Sequence, residues 1–309
     1  MNIVFHKMHG LGNDFILIDN RRQSFKPSTE QLQQLANRHT GIGCDQFLIL
    51  ETASQPSAHL DFRIYNADGT EAEQCGNGMR CITHYLGMNG EISKQEFSIN
   101  GIAGPVSCRW QPTGVAGQAA INMGQPIFES ADIPLDIRQL KSLGNSRWQL
   151  QASDINLPFT GVSMGNPHII FIAEDQAGIS LEVLANSLSN HPAFPAGVNI
   201  GLIESYSASK IALSVFERGS GPTLACGSGA CAAMAALRLA GKIDHRVTVY
   251  QPGGELVIEW CGLRSKSDAK SSQGESCFLS QTDNNELWMT GPASYTFKGE
   301  FRDEYKSNN

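Results

Sequence analysis

The sequence predicts an α+β fold built from two duplicated, pseudo-symmetric domains, each a mostly antiparallel β-sheet or barrel wrapped around a central α-helix. Two glycine-rich turns, "EQCGNGMRC" and "LACGSGAC", place Cys75 and Cys226 at a separation of 151 residues, about half of the 309-residue chain. Short strand-like runs clearly outnumber helical segments. Each glycine-rich turn also leads directly into an apolar segment of helical length.

Polar residues around the two turns repeat in the same order, which is the main argument for a duplication. Three pairs lie 151 to 153 residues apart: Asn13 with Asn166, Gln46 with Asn199, and Asn66 with Glu217. A glycine-rich chain can produce one such match by chance, but a shared order of several is harder to reach by accident. We therefore expect a duplicated domain.

The predicted strands are short strand-like runs rich in β-branched and aromatic residues. In the first half they cover residues 3–8, 14–19, 46–51, 60–66 and 119–124, and in the second half 168–173, 199–204, 211–217, 246–250 and 256–260. Their number favours a sheet-rich domain in each half.

One helix is predicted after each glycine-rich turn. The first, "NGMRCITHYLGMNG", is expected to end near Gly87. The second, "SGACAAMAALRLAGK", is rich in alanine and apolar on all sides, with Gly241 at the position of a C-terminal cap. A helix without a polar face is expected to be buried. The polar stretch 264–276 is interpreted as a flexible loop inserted in the second half.

Composition narrows the class of function. The formal net charge is −7 and no basic run occurs, so the chain lacks the electrostatic features that bind nucleic acids or anionic membranes. No segment is apolar for long enough to span a bilayer, and the opening residues do not form a signal peptide, so a cytoplasmic protein with a small-molecule partner is expected. The eight cysteines form no CxxC pair and no zinc spacing, which predicts mostly free thiols and no structural metal.

A cysteine at the start of a helix lies beside unpaired backbone N–H groups and the positive end of the helix dipole. We expect such a thiol to ionise more easily, and the neighbouring glycines to let a bound carboxylate approach the same N–H groups. A single buried cysteine is usually only a small core residue. Two in matched turns instead indicate a pair that flanks one small ligand, removes a proton from one face of a carbon and returns a proton to the other.

Five segments carry a family resemblance: "HGLGNDF", "NADGTEAEQCGNGMRC", "GNPH", "GVNI" and "ERGSGPTLACGSGACA". They closely resemble diaminopimelate epimerase over nearly the whole chain. The departure is a longer region between Trp260 and "MTGPASYTFKGEF", which concerns a surface loop. The resemblance implies two domains, residues 1–119 plus 295–309 with Cys75 and residues 120–294 with Cys226. It also implies that neither pyridoxal phosphate nor a metal is needed, and that the protein is a homodimer.

By the same resemblance, Cys75 and Cys226 are the acid and base that interconvert LL-diaminopimelate and its meso isomer. The resemblance implies catalytic support from His168 and Glu217. It implies substrate contacts from Asn13, Gln46, Asn66, Gly76, Asn77, Asn166, Asn199, Glu217, Arg218, Gly227 and Ser228. Among these, Arg218 is expected to pair with the distal carboxylate, and backbone N–H groups at the two helix starts are expected to hold the reacting one.

Simpler interpretations remain for single residues, since Asn66 fits an Asx turn before Gly69 and His168 fits an ordinary buried strand residue. For the whole chain, a proline racemase relative would use the same two thiols on a substrate without a distal amino acid end. Arg218 and the asparagines argue against that alternative. A thiol redox protein or a non-catalytic binding module is the third possibility, and a redox protein would be expected to carry a CxxC pair.

Overall fold

The computed structural model describes residues 2–92, 96–111, 117–150, 157–175, 178–262 and 285–303. The chain divides into two compact units, a first unit of Met1–Asn122 with Thr290–Asn309 and a second unit of Met123–Met289. The domain limits expected at 119/120 and 294/295 lie close to these bounds and stay a prediction. Within the described ranges, none of the helices has the length and apolar character needed to cross a membrane. The expected loop at 264–276 lies outside the described residues.

The described strands, in chain order, are β1 Asn2–Gly10, β2 Asn13–Asp19, β3 Gln46–Glu51, β4 Asp61–Asn66, β5 Glu71–Ala72, β6 Phe97–Gly101, β7 Gly104–Gln111, β8 Gln118–Asn122, β9 Leu140–Gly144, β10 Arg147–Leu150, β11 Pro158–Ser163, β12 Pro167–Ile172, β13 Asn199–Ser207, β14 Lys210–Glu217, β15 Gly221–Thr223, β16 Arg246–Gln251, β17 Gly254–Glu259, β18 Trp288–Pro292 and β19 Ser294–Arg302. The α-helices are α1 Thr29–Ala36, α2 Gly76–Met88, α3 Leu181–Leu188 and α4 Gly227–Leu239. Short 3₁₀ turns cover Asn20–Arg22, Ile137–Gln139 and Ala173–Asp175.

Strands of the first unit pair in the order β19, β1, β2, β3, β4, β6, β7, β8, with β5 beside β4. Two of these pairings, β2 with β3 and β4 with β6, are parallel and the rest are antiparallel. A parallel pair needs a crossover connection, and α1 supplies it between β2 and β3. Ser28 begins this helix because its side chain accepts a hydrogen bond from the Gln31 N–H.

The second unit repeats most of this arrangement, with β10 in the place of β19 and β11 to β17 in the places of β1 to β7. Its order is β9, β10, β11, β12, β13, β14, β16, β17, with β15 beside β14, and the pairs β12 with β13 and β14 with β16 are parallel. The register repeats as well, since Phe15 lies opposite Gln46 in one unit and His168 opposite Asn199 in the other. Both partners are displaced by 153 residues. The duplicated, mostly antiparallel fold predicted from the sequence is therefore confirmed.

Each unit wraps its sheet around one helix. Helix α2 contacts strands from both ends of its sheet, namely β19, β1 and β2 on one side and β7 and β8 on the other, so the sheet curves around it. Helix α4 contacts β11 to β14, β16 and β17 in the same way. Ten of the thirteen residues of α4 are buried, which leaves no broad polar face and explains why its sequence is apolar on all sides.

All ten predicted strands and both predicted central helices are present. Helix α2 ends at Met88, close to the expected Gly87, and Gly241 adopts a φ of 67° just after α4, as a C-terminal cap requires. The short crossover helices and the shorter and sheet-edge strands were not predicted from the sequence. These segments have weaker apolar patterns, because one face or more lies at the surface.

Candidate active site

Both cysteines of the glycine-rich turns cap the central helix of their unit. Cys75 precedes α2 with extended backbone angles, φ −147° and ψ 107°, and its Sγ accepts from the Gly78 N–H at 3.5 Å. Cys226 precedes α4 with φ −121° and ψ 112°, and its Sγ accepts from the Gly229 N–H at 3.3 Å. Each sulfur thus takes the place of the side-chain oxygen that normally caps a helix, beside its unpaired N–H groups.

A strained turn places Asn13 at the start of β2. The two residues between β1 and β2 both have positive φ, 56° at Leu11 and 93° at Gly12, which is the geometry of a tight two-residue hairpin. A leucine rarely adopts this conformation, and Leu11 is only 9% exposed, so core packing offsets the backbone strain. The turn holds Asn13 in a fixed position next to α2.

Asn13, Asn77 and Cys75 form one hydrogen-bonded group in the first unit. The Cys75 Sγ lies 3.8 Å from the Asn13 Oδ1, and the Asn77 Nδ2 donates to the same oxygen at 3.2 Å. The Asn13 Nδ2 in turn donates to the Asp45 Oδ2 at 3.0 Å. This brings together three of the residues predicted from the sequence, with Gly76 as the first residue of α2.

Gln46 and Asn66 lie opposite each other on β3 and β4 and form a second pair. The Gln46 Nε2 donates to the Asn66 Oδ1 at 2.9 Å, and the Asn66 Nδ2 donates to the Thr70 Oγ1 at 3.0 Å. The Asx turn that the sequence allows at Asn66 is instead made by Asp68, whose carboxylate accepts from the Thr70 N–H. The Asn66 side chain is thereby available to hold Gln46.

In the second unit, three predicted residues form one polar cluster around Cys226. The His168 Nε2 lies 3.0 Å from the Asn166 Oδ1 and 3.1 Å from the Ser228 Oγ. The Asn166 Nδ2 donates to the Ser228 Oγ at 3.3 Å, and that oxygen lies 3.6 Å from the Cys226 Sγ. Because Ser228 accepts from Asn166, its own proton can point to the sulfur. His168 is therefore more than an isolated core histidine.

Asn199 and Arg218 form a separate group in the second unit. The Asn199 Nδ2 donates to the Pro167 carbonyl at 3.0 Å, and its Oδ1 accepts from the Arg218 N–H at 2.9 Å. The Arg218 guanidinium donates to the Ala196 carbonyl at 2.8 Å and lines a cleft of about 780 Å³. A fixed guanidinium at the wall of a cleft is suited to bind a carboxylate.

The expectation that a cysteine at the helix start ionises more easily is wrong for Cys226. Complete burial raises the pKa of this thiol well above its ordinary value, and the neighbouring Glu217 carboxylate raises it further. Hydrogen bonds from Ser228 and Gly229 act in the opposite direction but do not outweigh burial. Cys226 is therefore a protonated thiol in this state of the protein.

Burial also controls His168, whose exposed fraction is 0%. Desolvation, with a smaller contribution from Arg218, lowers its pKa to about 3, so the imidazole is neutral at physiological pH. Its Nδ1 has no hydrogen-bond partner among the described residues. The proton is thus expected on Nε2, where the Asn166 oxygen accepts it.

Three residues beside the cysteines were not identified from the sequence. Asp45 holds Asn13, and the fully buried Arg80 donates to the Asn77 Oδ1 at 2.8 Å. Gln251 binds both the N–H of Cys226, at 2.7 Å, and its carbonyl, at 3.3 Å. The charges of Asp45 and Arg80 within "GCDQ" and "GNGMRC" were the available signals for the first two. Among the residues that the structure describes, no group of three or more His, Cys, Asp or Glu side chains is arranged to hold a metal ion.

Comparison with known proteins identifies a family whose model matches this chain. The model of the family described as "Diaminopimelate epimerase" matches residues 5–129 and 160–279, well over half of the chain. The matched ranges include both glycine-rich turns and all the polar residues described around them.

Three solved structures share the fold at low sequence identity. A phenazine biosynthesis protein of the PhzF family from Bacillus anthracis has 16% identity and a TM-score of 0.62, with 98% of this chain and 99% of that chain covered. A hydroxyproline epimerase from Agrobacterium vitis has 13% identity and a TM-score of 0.60, with 97% and 92% covered. A probable proline racemase from Agrobacterium radiobacter has 12% identity and a TM-score of 0.60, with 99% and 94% covered.

Proposed function

Because the chain belongs to the diaminopimelate epimerase family, we propose that it interconverts LL-2,6-diaminopimelate and meso-diaminopimelate, a step that supplies precursors of lysine and peptidoglycan. Isomerases and epimerases are the enzyme class to which the family and its structural neighbours point. The observation that carries the proposal is the repeated placement of a cysteine at the start of a buried central helix, once in each unit. A two-base inversion requires such a pair of proton-transfer groups.

In the proposed mechanism, one cysteine removes the α-proton as a thiolate while the other donates a proton as a thiol. Cys226, which burial keeps protonated, is suited to act as the acid in one direction, while Cys75 acts as the base that removes the α-proton. In the reverse direction the two roles exchange. Glu217 supports the acid role of Cys226 because its negative charge disfavours the thiolate.

The reacting carboxylate must be stabilised because an amino acid α-proton is far less acidic than a thiol. We assign this task to the backbone N–H groups of the first turns of α2 and α4, near Gly76, Asn77, Gly227 and Ser228. Helix N-termini favour negative charge and remain fixed during the reaction, so they stabilise a carbanionic transition state without reorganisation. In this proposal the chemistry uses protein groups alone, without a cofactor or a metal.

Specificity is assigned to polar groups on β2, β3, β4 and β13 and in the turns before β12 and after β14. Arg218 is proposed to bind the distal carboxylate in its cleft, while Asn66, Asn166 and Asn199, with Gln46 and Asn13, hold the two amino acid ends. Burying a carboxylate without a cationic partner costs several kcal/mol, and Arg218 offsets this cost for the distal carboxylate. A substrate without a distal carboxylate would receive no binding energy from Arg218. The expected homodimer and the cytoplasmic location belong to the same proposal.

The proposal is tested by incubating the purified protein with LL-diaminopimelate, L-proline or trans-4-hydroxy-L-proline, without added pyridoxal phosphate. Chiral chromatography should show inversion of diaminopimelate only. Inversion of proline or hydroxyproline instead would favour the function of the proline racemase relatives, whose fold this chain shares. Absence of any inversion would favour a binding or redox role.

A further inference from the structure

Around Cys75, four side chains form a continuous hydrogen-bonded chain from the surface to the interior of the first unit. It runs from the Asp45 carboxylate to Asn13, from Asn13 to Asn77, and from Asn77 to Arg80. The donor to acceptor distances are 3.0, 3.2 and 2.8 Å. The Asp45 end is 44% exposed and pairs with Arg38, whereas Arg80 at the other end is fully buried.

The two ends of this chain determine the orientation of both amides between them. A carboxylate can only accept hydrogen bonds, so Asn13 must present its Nδ2 to Asp45 and its Oδ1 to the interior. A guanidinium can only donate, so Asn77 must present its Oδ1 to Arg80 and its Nδ2 to Asn13. The two requirements agree, because the Asn77 Nδ2 then meets the Asn13 Oδ1.

This orientation places an acceptor beside the Cys75 sulfur. The Asn13 Oδ1 lies 3.8 Å from the Cys75 Sγ, within the range for a hydrogen bond from a thiol. A carbonyl oxygen accepts a hydrogen bond from the S–H form but cannot donate one to a thiolate. A rotated amide would present an N–H group to the sulfur and favour the thiolate. The orientation of the amides in this series of hydrogen bonds therefore favours the protonated form of the Cys75 thiol.

We propose that Asp45 and Arg80 are positioning residues of the Cys75 half-site, which lock the Asn13 amide with its oxygen toward the sulfur. This inference rests on the proposed function for its catalytic meaning, since it concerns when Cys75 holds and releases its proton.

Comparison of the two units indicates that the hydrogen bonds from Asp45 to Arg80 are needed for the surroundings of Cys75 and not for the fold. Val198 and Cys231 stand in the second unit at the places of Asp45 and Arg80, 153 and 151 residues further on. The second unit builds the same sheet and helix without either charge, and it orients Asn166 by His168 and Ser228 instead. The architecture alone therefore does not require a carboxylate or a guanidinium at these places.

A glycine makes room for the buried end of the chain. A Cβ atom on Gly10, the last residue of β1, would lie 3.1 Å from the Arg80 Nη2 and 3.3 Å from the Asn77 backbone oxygen. The Arg80 Nε also donates to the Pro292 carbonyl at 3.2 Å, which fixes the guanidinium from a second direction. Arg80 is thus held rigidly enough to impose an orientation on Asn77.

The test compares Asp45→Ala with Asp45→Asn. Both substitutions remove the negative charge that pairs with Arg38, but only the second keeps a side-chain oxygen that accepts from the Asn13 amide. Alkylation of Cys75 by iodoacetamide at pH 7.5, followed by mass spectrometry of the peptide that contains it, measures its thiolate fraction. Glu96→Gln is the matched control, because Glu96 is 46% exposed and pairs with Arg109 elsewhere in the unit.

We expect Cys75 in Asp45→Ala to react faster than in Asp45→Asn, by a factor on the order of five for the loss of about one hydrogen bond. Glu96→Gln should react as the unaltered protein does. Equal rates in the two Asp45 variants, or a slower rate in Asp45→Ala, would overturn the inference and leave only an effect of charge. If Asp45→Ala does not fold, Asp45→Ser, whose hydroxyl is too short to reach Asn13, takes its place. Alkylation needs no substrate, so the result is independent of whether LL-diaminopimelate is inverted.

Discussion

At the scale of single residues, burial outweighs the helix dipole in setting protonation states. Cys226 lies at the positive end of α4, yet complete burial raises the pKa of its thiol. The N–H groups of one helix end favour an anion by up to about 2 kcal/mol, whereas removing a charge from water costs several kcal/mol. A sequence shows the helix start, but the depth of the residue is known only once the fold is assembled.

His168 provides the first prediction at this scale. The pKa of the imidazole is near 6.5 in the unfolded chain and about 3 in the folded one, so between these values only the unfolded state binds the proton. His168 therefore leaves the free energy of unfolding unchanged above about pH 6.5 and lowers it as the pH falls toward 3. The decrease is up to about 1.4 kcal/mol per pH unit. Urea unfolding at about pH 7 and pH 5 should show that His168→Gln loses less stability on acidification than the unaltered protein.

The exposed His39 supplies the control for this measurement. His39→Gln should leave the difference between the two pH values unchanged, because this side chain lies exposed at the surface. An equal loss of stability in His168→Gln and the unaltered protein would contradict the account of a neutral, buried His168.

The identity of the candidate residues was accessible from the sequence, while their connections were not. Asn13 and Asn166 were found by their matched spacing from the glycine-rich turns. Their environments differ, however, because Asp45 holds one amide and His168 with Ser228 holds the other. These partners come from different loops and strands, so no local pattern in the sequence predicts them.

At the scale of elements, the first turn of each central helix combines a thiol with a glycine three residues later. A Cβ atom on Gly229 would lie 3.2 Å from the Cys226 Sγ and 3.0 Å from a Val215 methyl carbon. The corresponding Cβ on Gly78 would lie 2.8 Å from a Leu48 methyl carbon and 3.7 Å from the Cys75 Cβ, with no sulfur among its nearest neighbours. The same position in the two helices is therefore constrained by different neighbours.

This difference predicts that the same substitution affects activity more in one helix and stability more in the other. Gly229→Ala should lower kcat/KM for diaminopimelate by about tenfold or more, because it displaces the sulfur, with little change in Tm. Gly78→Ala should lower Tm more and kcat/KM less, because it overpacks the core at Leu48 by about 1 kcal/mol or more. Steady-state kinetics and thermal unfolding of both variants check this, and a reversed pattern would show that the sulfur of Cys226 is not constrained by this turn.

Elements with strong patterns were predicted well. The run "QFLILE" corresponds residue for residue to β3, and "SGACAAMAALRLAGK" covers nearly all of the buried helix α4. Helices α1 and α3 were missed because each is eight residues long and partly exposed. They exist because the parallel pairs β2 with β3 and β12 with β13 need crossovers, which is a requirement of topology and not of local composition.

At the scale of the whole molecule, one scaffold carries two different polar interiors. The units share strand order, parallel pairs and a capped central helix. Their sites diverge where Phe15 corresponds to His168 in the register, and where Asp45 and Arg80 have apolar or thiol counterparts. Spacing in the sequence predicted the shared scaffold, because a duplication leaves the same intervals in both halves. The differences between the side chains around the two cysteines leave no comparable pattern in the sequence.

A duplicated scaffold with unlike half-sites fits a reaction in which two thiols do different work in each direction. The burial of Cys226 favours its acid form, and the orientation of Asn13 gives Cys75 a partner for its proton. In the proposed mechanism, the two cysteines act as separate bases on one carbon. A one-base mechanism would instead return the same proton to the substrate.

The most direct test is the isotopic composition of the product that forms during the first few turnovers of LL-diaminopimelate in deuterated water. The account predicts that mass spectrometry finds deuterium at the inverted carbon of meso-diaminopimelate while the remaining LL isomer is unlabelled, and that Cys75→Ala and Cys226→Ala form no product although both fold. A product that retains the original proton, or turnover at the unaltered rate by either alanine variant, would contradict it.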